Sequence, residues 1–184
     1  MALRNSFLQY GSVSKFFHWL IVFLVLIMLC LGFFMNGIEN KIIKGEVFNI
    51  HKLIGLTVLL LMILRLIWAL TNPKPKLPFD TPLWERILER GMHDLFYLVL
   101  ILMPISGWVL STAAGKSPHI GWFRLSLPIS QSKALASFSD SVHVFLAWTI
   151  IVLVTLHILA ALKHYFMNKD YVLQRMTPWI KINQ

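Results

Sequence analysis

Four long apolar segments constrain this chain more than any other feature. A helix needs about 20 apolar residues to cross the hydrocarbon core of a bilayer. Stretches of that kind run roughly from Phe16 to Met35, Ile50 to Leu70, His93 to Ala113 and Val142 to Phe166. The first is too long for the apolar region of a signal peptide, and no small-residue cleavage site follows it. Of 184 residues, 57% are apolar and 14% are charged, against roughly 25% charged in an ordinary soluble domain. One soluble core of this size could not hide so much apolar surface, so lipid is the expected solvent. The expected fold is all-α: an integral membrane four-helix bundle forming one transmembrane domain over residues 1–184.

The connections are polar and punctuated. Asn36 to Asn49 is short, with Gly37 and Gly45. After Thr71 the run Asn72-Pro73-Lys74-Pro75-Lys76-Leu77-Pro78 stops a helix and favours extended chain. Trp84 to Arg90 reads as a short surface helix. Ala114 to Asp140 is the longest connection. Pro104, followed by Ser106 and Gly107, suggests a kink in the third span and a close helix contact.

A formal charge of +9 could suggest nucleic acid, but the apolar content argues instead for basic flanks on a membrane protein. Four spans put both termini on one side. That side carries Arg4, Lys15, Lys74, Lys76, Arg86, Arg90, Lys163, Lys169, Arg175 and Lys181. The opposite side carries Lys41, Lys44, Lys52, Lys116, Arg124 and Lys133. The excess predicts cytoplasmic termini. Below, "inner" denotes the end that carries the termini and "outer" the opposite end.

A single cysteine, Cys30, rules out an internal disulfide and a cysteine-built metal or iron–sulfur site. Histidines are therefore the main candidate ligands, and a histidine inside a span is costly enough to point to function. His18 opens span one at the inner end, and His51 opens span two at the outer end. His143 and His157 lie fourteen residues apart in span four. That is about 3.9 turns, so they share a face and lie about 21 Å apart along the axis. One imidazole pair per leaflet results: His51 with His143, and His18 with His157. His164 lies on the same face at the inner interface, so depth alone leaves His157 and His164 both open as the partner of His18.

Paired imidazoles in lipid suit haem. Its iron takes two axial nitrogens and fills its other positions from the porphyrin, whereas zinc wants more protein ligands or an open water position. A proton relay would usually need buried carboxylates, and only Asp94 and Asp140 lie near the spans. Arg65 shares a face with His51 at inner depth and suits a haem propionate, or else snorkels to the surface. His93 reads as interfacial rather than as a ligand.

These residues resemble the bacterial cytochrome b561 family over nearly the whole chain. The matching pieces are Phe17-His18-Trp19, Ile50-His51-Lys52-Leu53-Ile54-Gly55 and Arg65-Leu66-Ile67-Trp68. His93 and Leu102-Met103-Pro104-Ile105-Ser106-Gly107 follow, and then the tail Lys163-His164-Tyr165-Phe166-Met167-Asn168-Lys169-Asp170 with Leu173-Gln174-Arg175-Met176-Thr177-Pro178. The resemblance implies two haem b groups in a bundle of the bacterial inner (cytoplasmic) membrane. It makes His157 the fourth axial ligand and His164 a quinone or propionate contact. It is nearest to the superoxide oxidase type, which passes electrons from superoxide to ubiquinone. A basic outer loop carrying Lys116, Arg124 and Lys133 would suit an anionic donor. The rival expectations are a haem-carrying anchor subunit for a separate dehydrogenase or hydrogenase, with a redox protein partner, and a haem-free histidine-rich transporter or assembly factor.

Overall fold

The computed structural model describes residues 2–79 and 81–177; Lys181 and Pro178, used in the sequence reading, lie outside them. Among the described residues, four long helices carry the fold: α1 (Ser12–Phe34), α2 (Lys41–Thr71), α3 (Leu83–Ala113) and α4 (Lys133–Lys163). All four are long and apolar enough to cross a membrane. The protein is an all-α, multi-pass membrane four-helix bundle. A small antiparallel hairpin, β1 (His119–Ile120) with β2 (Phe123–Arg124), lies between α3 and α4. A π-helical turn, His164–Asn168, follows α4.

All four helices start ahead of the apolar segments that mark them in the sequence, and in two of them, α2 and α4, a side-chain cap opens the helix in polar territory. The Asn40 side chain accepts from the backbone N–H groups of Ile42 and Ile43 at 3.0 and 3.1 Å. Ser132 caps α4 by accepting from Leu135 N–H. Both side chains satisfy donors that the first turn leaves unpaired. Trp84 to Arg90 is therefore no separate surface helix: it is the first part of α3, which starts just after Pro82. α3 also runs through Pro104 as one helix. At the far end of α4, the α-helix stops at Lys163 and gives way to the π turn.

The buried apolar cluster lies between the two histidine layers. Ile21, Val58, Met62, Val99, Leu100, Leu146, Ile150 and Leu153 form it, drawn from all four helices. Val58 lies midway between His51 and Arg65 in sequence, and Ile150 midway between His143 and His157. Large exposed side chains away from the histidine layers, including Phe23, Leu60 and Phe145, face outward, where lipid rather than water receives them. Close backbone packing joins α1 to α2, α2 to α3 and α3 to α4; α1 and α4 do not pack this tightly. They meet through side chains instead, such as Phe33 against Trp148 and His18 against His157.

The inner end is stitched shut by three segments. Trp19 Nε1–H donates to Met176 O at 3.1 Å, and Lys15 Nζ donates to Thr177 O at 3.3 Å. Asn5 Nδ2 donates to Pro73 O, and Lys76 N–H donates to Phe7 O. The N-terminal segment folds back so closely that a Cβ on Gly11 would clash with the backbone carbonyls of Leu3 and Arg4. Both terminal segments therefore share one end of the bundle with the α2–α3 connection.

Candidate haem sites

At the outer layer, α2 presents His51 and α4 presents His143, with ring centroids 6.3 Å apart. α3 orients the second ring. His143 Nδ1 lies 3.1 Å from Met103 O and 3.0 Å from Ser106 Oγ. An Nδ1–H donated to that carbonyl leaves Nε2 as the free lone pair, the arrangement that orients metal-binding histidines. Gly107 makes this approach possible, since a Cβ there would lie 2.9 Å from His143 Cε1. His51 is buried, and its Nδ1 has no hydrogen-bond partner among the described residues.

At the inner layer, His18 on α1 and His157 on α4 are again 6.3 Å apart between centroids. His157 also meets Phe96 at 5.5 Å and His93 at 5.9 Å. His93 thus packs inside this layer rather than standing at the interface alone. Its Nδ1 lies 2.7 Å from Glu89 O and 3.2 Å from the Glu89 carboxylate. Arg65 Nη2 lies 3.4 Å from His18 Nδ1, and its guanidinium lies 5.9 Å from the Tyr97 ring centroid. Among the described residues Arg65 has no carboxylate partner. A guanidinium only donates, so this cation remains available to an anion arriving at the inner layer. Tyr10 lies under the cap nearby. Burial and then the Glu89 carboxylate push its phenol up to about 12.

Both pairs fit a metal held between opposed rings. An imidazole nitrogen binds a metal at about 2 Å, so two rings on either side of one metal have centroids roughly 6 Å apart. Among the described residues no group of three or more His, Cys, Asp or Glu side chains could hold an ion. Additional equatorial ligands would have to come from a macrocycle, as in haem. The outer pair opens into a cavity of about 1090 Å³, at or above the usual range of about 300–1,000 Å³ for ligand sites. Gly32, Gly55 and Gly107 supply small walls, and Val25, Leu29, Met103 and Ile150 supply apolar ones.

The cavity is cationic. Lys41, Lys44, Lys52, Lys116 and Arg124 line it together with His119, against the single carboxylate of Asp140. Lys52 Nζ donates to Lys116 O at 2.6 Å, and Lys44 Nζ donates to Asn36 O at 2.7 Å. The hairpin is pinned to α2 by Asn49, whose Nδ2 donates to His119 O and whose Oδ1 accepts from His119 N–H, both at 2.9 Å. Lys116 and Arg124 are thus where a basic rim requires, while Lys133 is not among the lining residues. The α2 lysines complete the rim. Their outer-side placement was readable from the sequence, but their convergence depends on α2 starting as early as Lys41.

His164 stands apart from the paired layers. Its Nδ1 lies 2.6 Å from Asp170 Oδ2, and its Nε2 lies 3.9 Å from Glu85 Oε2. Neither acid was singled out in the sequence: Glu85 sits in a segment read as surface, and Asp170 in the tail.

The fold and the facing imidazoles define a class, the multi-pass membrane protein that carries haem between its helices for electron transfer. Within it, the chain belongs to the prokaryotic cytochrome b561 family, whose description matches residues 9–179. It is 35% identical to cytochrome b561 homolog 2 of Escherichia coli (strain K12), covering 96% of this chain and 95% of that protein. It is 30% identical to the probable superoxide oxidase CybB of Yersinia pestis, over 92% of this chain and 96% of that protein. At 23% identity it also resembles a probable Ni/Fe-hydrogenase B-type cytochrome subunit of Rhizobium leguminosarum bv. viciae, over 94% of this chain and 87% of that protein. Family membership implies b-type haem.

Proposed function

We propose that this chain is a superoxide:ubiquinone oxidoreductase of the bacterial inner membrane. Residues 1–184 would form one transmembrane domain with both termini cytoplasmic. His51 and His143 would hold an outer haem b, and His18 and His157 an inner one. Arg65 would pair with a propionate of the inner group. When bound, each haem supplies a one-electron couple; the protein supplies position, insulation and charge.

The observation that carries the reading is the cationic cavity at the outer pair. Superoxide is a small monoanion. Lys41, Lys44, Lys52, Lys116 and Arg124, facing one carboxylate in a low-dielectric wall, raise its local concentration and on-rate. The apolar layer around Met62 and Ile150 keeps water out between the two histidine pairs. At the inner end, the stitched terminal segments cover the second pair, and ubiquinone can approach within the membrane. Similarity to a probable superoxide oxidase supports the choice of donor.

The similarity to a hydrogenase cytochrome subunit favours a second reading, in which the chain is the haem-carrying anchor of a separate enzyme. The purified chain alone separates the two. Superoxide supplied with a short-chain ubiquinone should yield ubiquinol without any partner. Haem that stays oxidised under superoxide, but is reduced by a partner dehydrogenase or hydrogenase, would reject the oxidase reading.

A further inference from the structure

We propose that Glu85, His164 and Asp170 form a proton relay serving the quinone oxygens at the inner end. The inference rests on the reading that ubiquinone is the acceptor. Two superoxide ions, one quinone and two protons give two dioxygen molecules and one quinol. Oxidation of superoxide releases electrons only, so both protons must be supplied where the quinone is reduced.

The cluster is assembled at some conformational cost from three elements. Glu85 belongs to α3, His164 to the π turn after α4, and Asp170 to the tail beyond it. Between them Lys169 adopts a left-handed conformation with φ 53°, a geometry that disfavours a side chain. That turn brings the Asp170 backbone N–H to His164 O at 3.2 Å and its carboxylate to His164 Nδ1 at 2.6 Å. The other Asp170 oxygen accepts from Val172 N–H at 3.0 Å. With Nδ1–H donated to Asp170, Nε2 is the nitrogen free to exchange protons, and it faces Glu85 Oε2 at 3.9 Å.

Glu85 is held in turn by Lys163 on α4, whose ammonium also lies over the Trp84 ring. Asn168 Nδ2 approaches the same His164 Nδ1 at 3.2 Å. The side chains of His164, Glu85 and Asp170 are 14%, 12% and 17% exposed, so the cluster is enclosed but within reach of inner-side water. Capping the end of α4 would need contacts to its last carbonyls; it does not account for a second acid on the Nε2 side.

In each of two turnovers His164 gives its Nε2 proton to a quinone oxygen, and the O–H bond forms as the N–H bond breaks. Asp170 holds Nδ1–H and so keeps Nε2 turned towards Glu85 and the quinone oxygen. Glu85 takes a proton from inner-side water and returns it to Nε2. Asp170 and Glu85 are thus positioning and proton-supplying residues, and His164 is the group that meets the substrate.

The test uses the haem-loaded full chain, pre-reduced and mixed with either a short-chain ubiquinone or ferricyanide, which takes an electron without a proton. In Glu85→Gln and in Asp170→Asn, the ratio of quinone to ferricyanide rate should fall about 10- to 100-fold, the lower part of the range for general acid catalysis. A small weak acid such as imidazole in the buffer should restore part of the quinone rate in Glu85→Gln. Asp170→Glu, which keeps an acid, should restore part of it in the other variant. An unchanged ratio in both variants would overturn the relay, as would parallel loss of both rates without rescue. Ferricyanide oxidation with no quinone oxidation in the unsubstituted chain would instead overturn the underlying reading, and the relay with it.

Discussion

The two histidine layers have the same ring separation and opposite surroundings. The outer pair opens into a cavity lined by lysines from α2 and by the pinned hairpin. The inner pair lies beneath a cap made from both terminal segments and the α2–α3 connection. In the proposed function one scaffold would present one layer to small anions and keep the other for a ligand arriving through lipid. A direction of electron flow would then come from what covers each layer, since the spacing of the rings does not distinguish them.

The largest effect should come from breaking one layer at a time. His51→Ala or His143→Ala should lower haem content from two per chain to one, with the inner haem spectrum retained. His18→Ala or His157→Ala should do the converse. A pyridine haemochrome assay against protein concentration reads the stoichiometry. Equal loss of both haems from a folded variant would reject the pairing.

Gly107→Ala should act next most strongly, and on the outer layer alone. Its Cβ would lie 2.9 Å from His143 Cε1, and overpacking of this kind costs about 1–3 kcal/mol. Outer-haem affinity should fall about 10- to 100-fold, as haem titration of the apoprotein would show. Gly55→Ala meets only the flexible end of Met28 at 3.5 Å and should change little.

The charge difference between the two ends gives a smaller, salt-dependent effect. Replacing Lys52, Lys116 and Arg124 with Gln should slow haem reduction by superoxide about 10-fold at low salt, within the range for electrostatic steering. The difference should shrink towards 1 M salt, where the Debye length is about 3 Å. Reduction by a neutral quinol should be unaffected, and Lys133→Gln should be nearly silent.

The smallest effect belongs to the cap. The Tyr10 phenol is pushed up to about 12 from an ordinary 10.0. Below pH 10 it is neutral whether folded or unfolded, and its proton makes no difference to stability. Above pH 10 the unfolded chain ionises first, so stability is lost progressively between pH 10 and 12. Thermal melts across that window should show a shallower decline in Tyr10→Phe than in the unsubstituted chain.

The sequence made the layers legible because hydropathy fixes depth and helical periodicity fixes the face. His143 and His157 are fourteen residues apart on one helix, and His18 and His51 match them in depth. It hid whatever depends on where polar chain turns. Helix α2 starts at Lys41 because the Asn40 side chain caps it there, and that early start carries Lys41 and Lys44 to the cavity. Lys133 looks like a rim residue in a loop, but it opens α4. Asp170 meets His164 through a left-handed residue in the tail that no apolar pattern marks. His93 reads as interfacial because Glu89, its anchor, lies in a segment that reads as a separate short surface helix.

In the proposed function, electrons enter at the open cationic end and leave at the capped end. Haem-loaded protein in sealed vesicles of known orientation, established by protease access to the C-terminal tail, tests it directly. Superoxide generated in the external solution should reduce haem promptly when the cavity faces outward and slowly when the tail does. Equal rates in the two orientations, or faster reduction with the tail outward, would contradict the account.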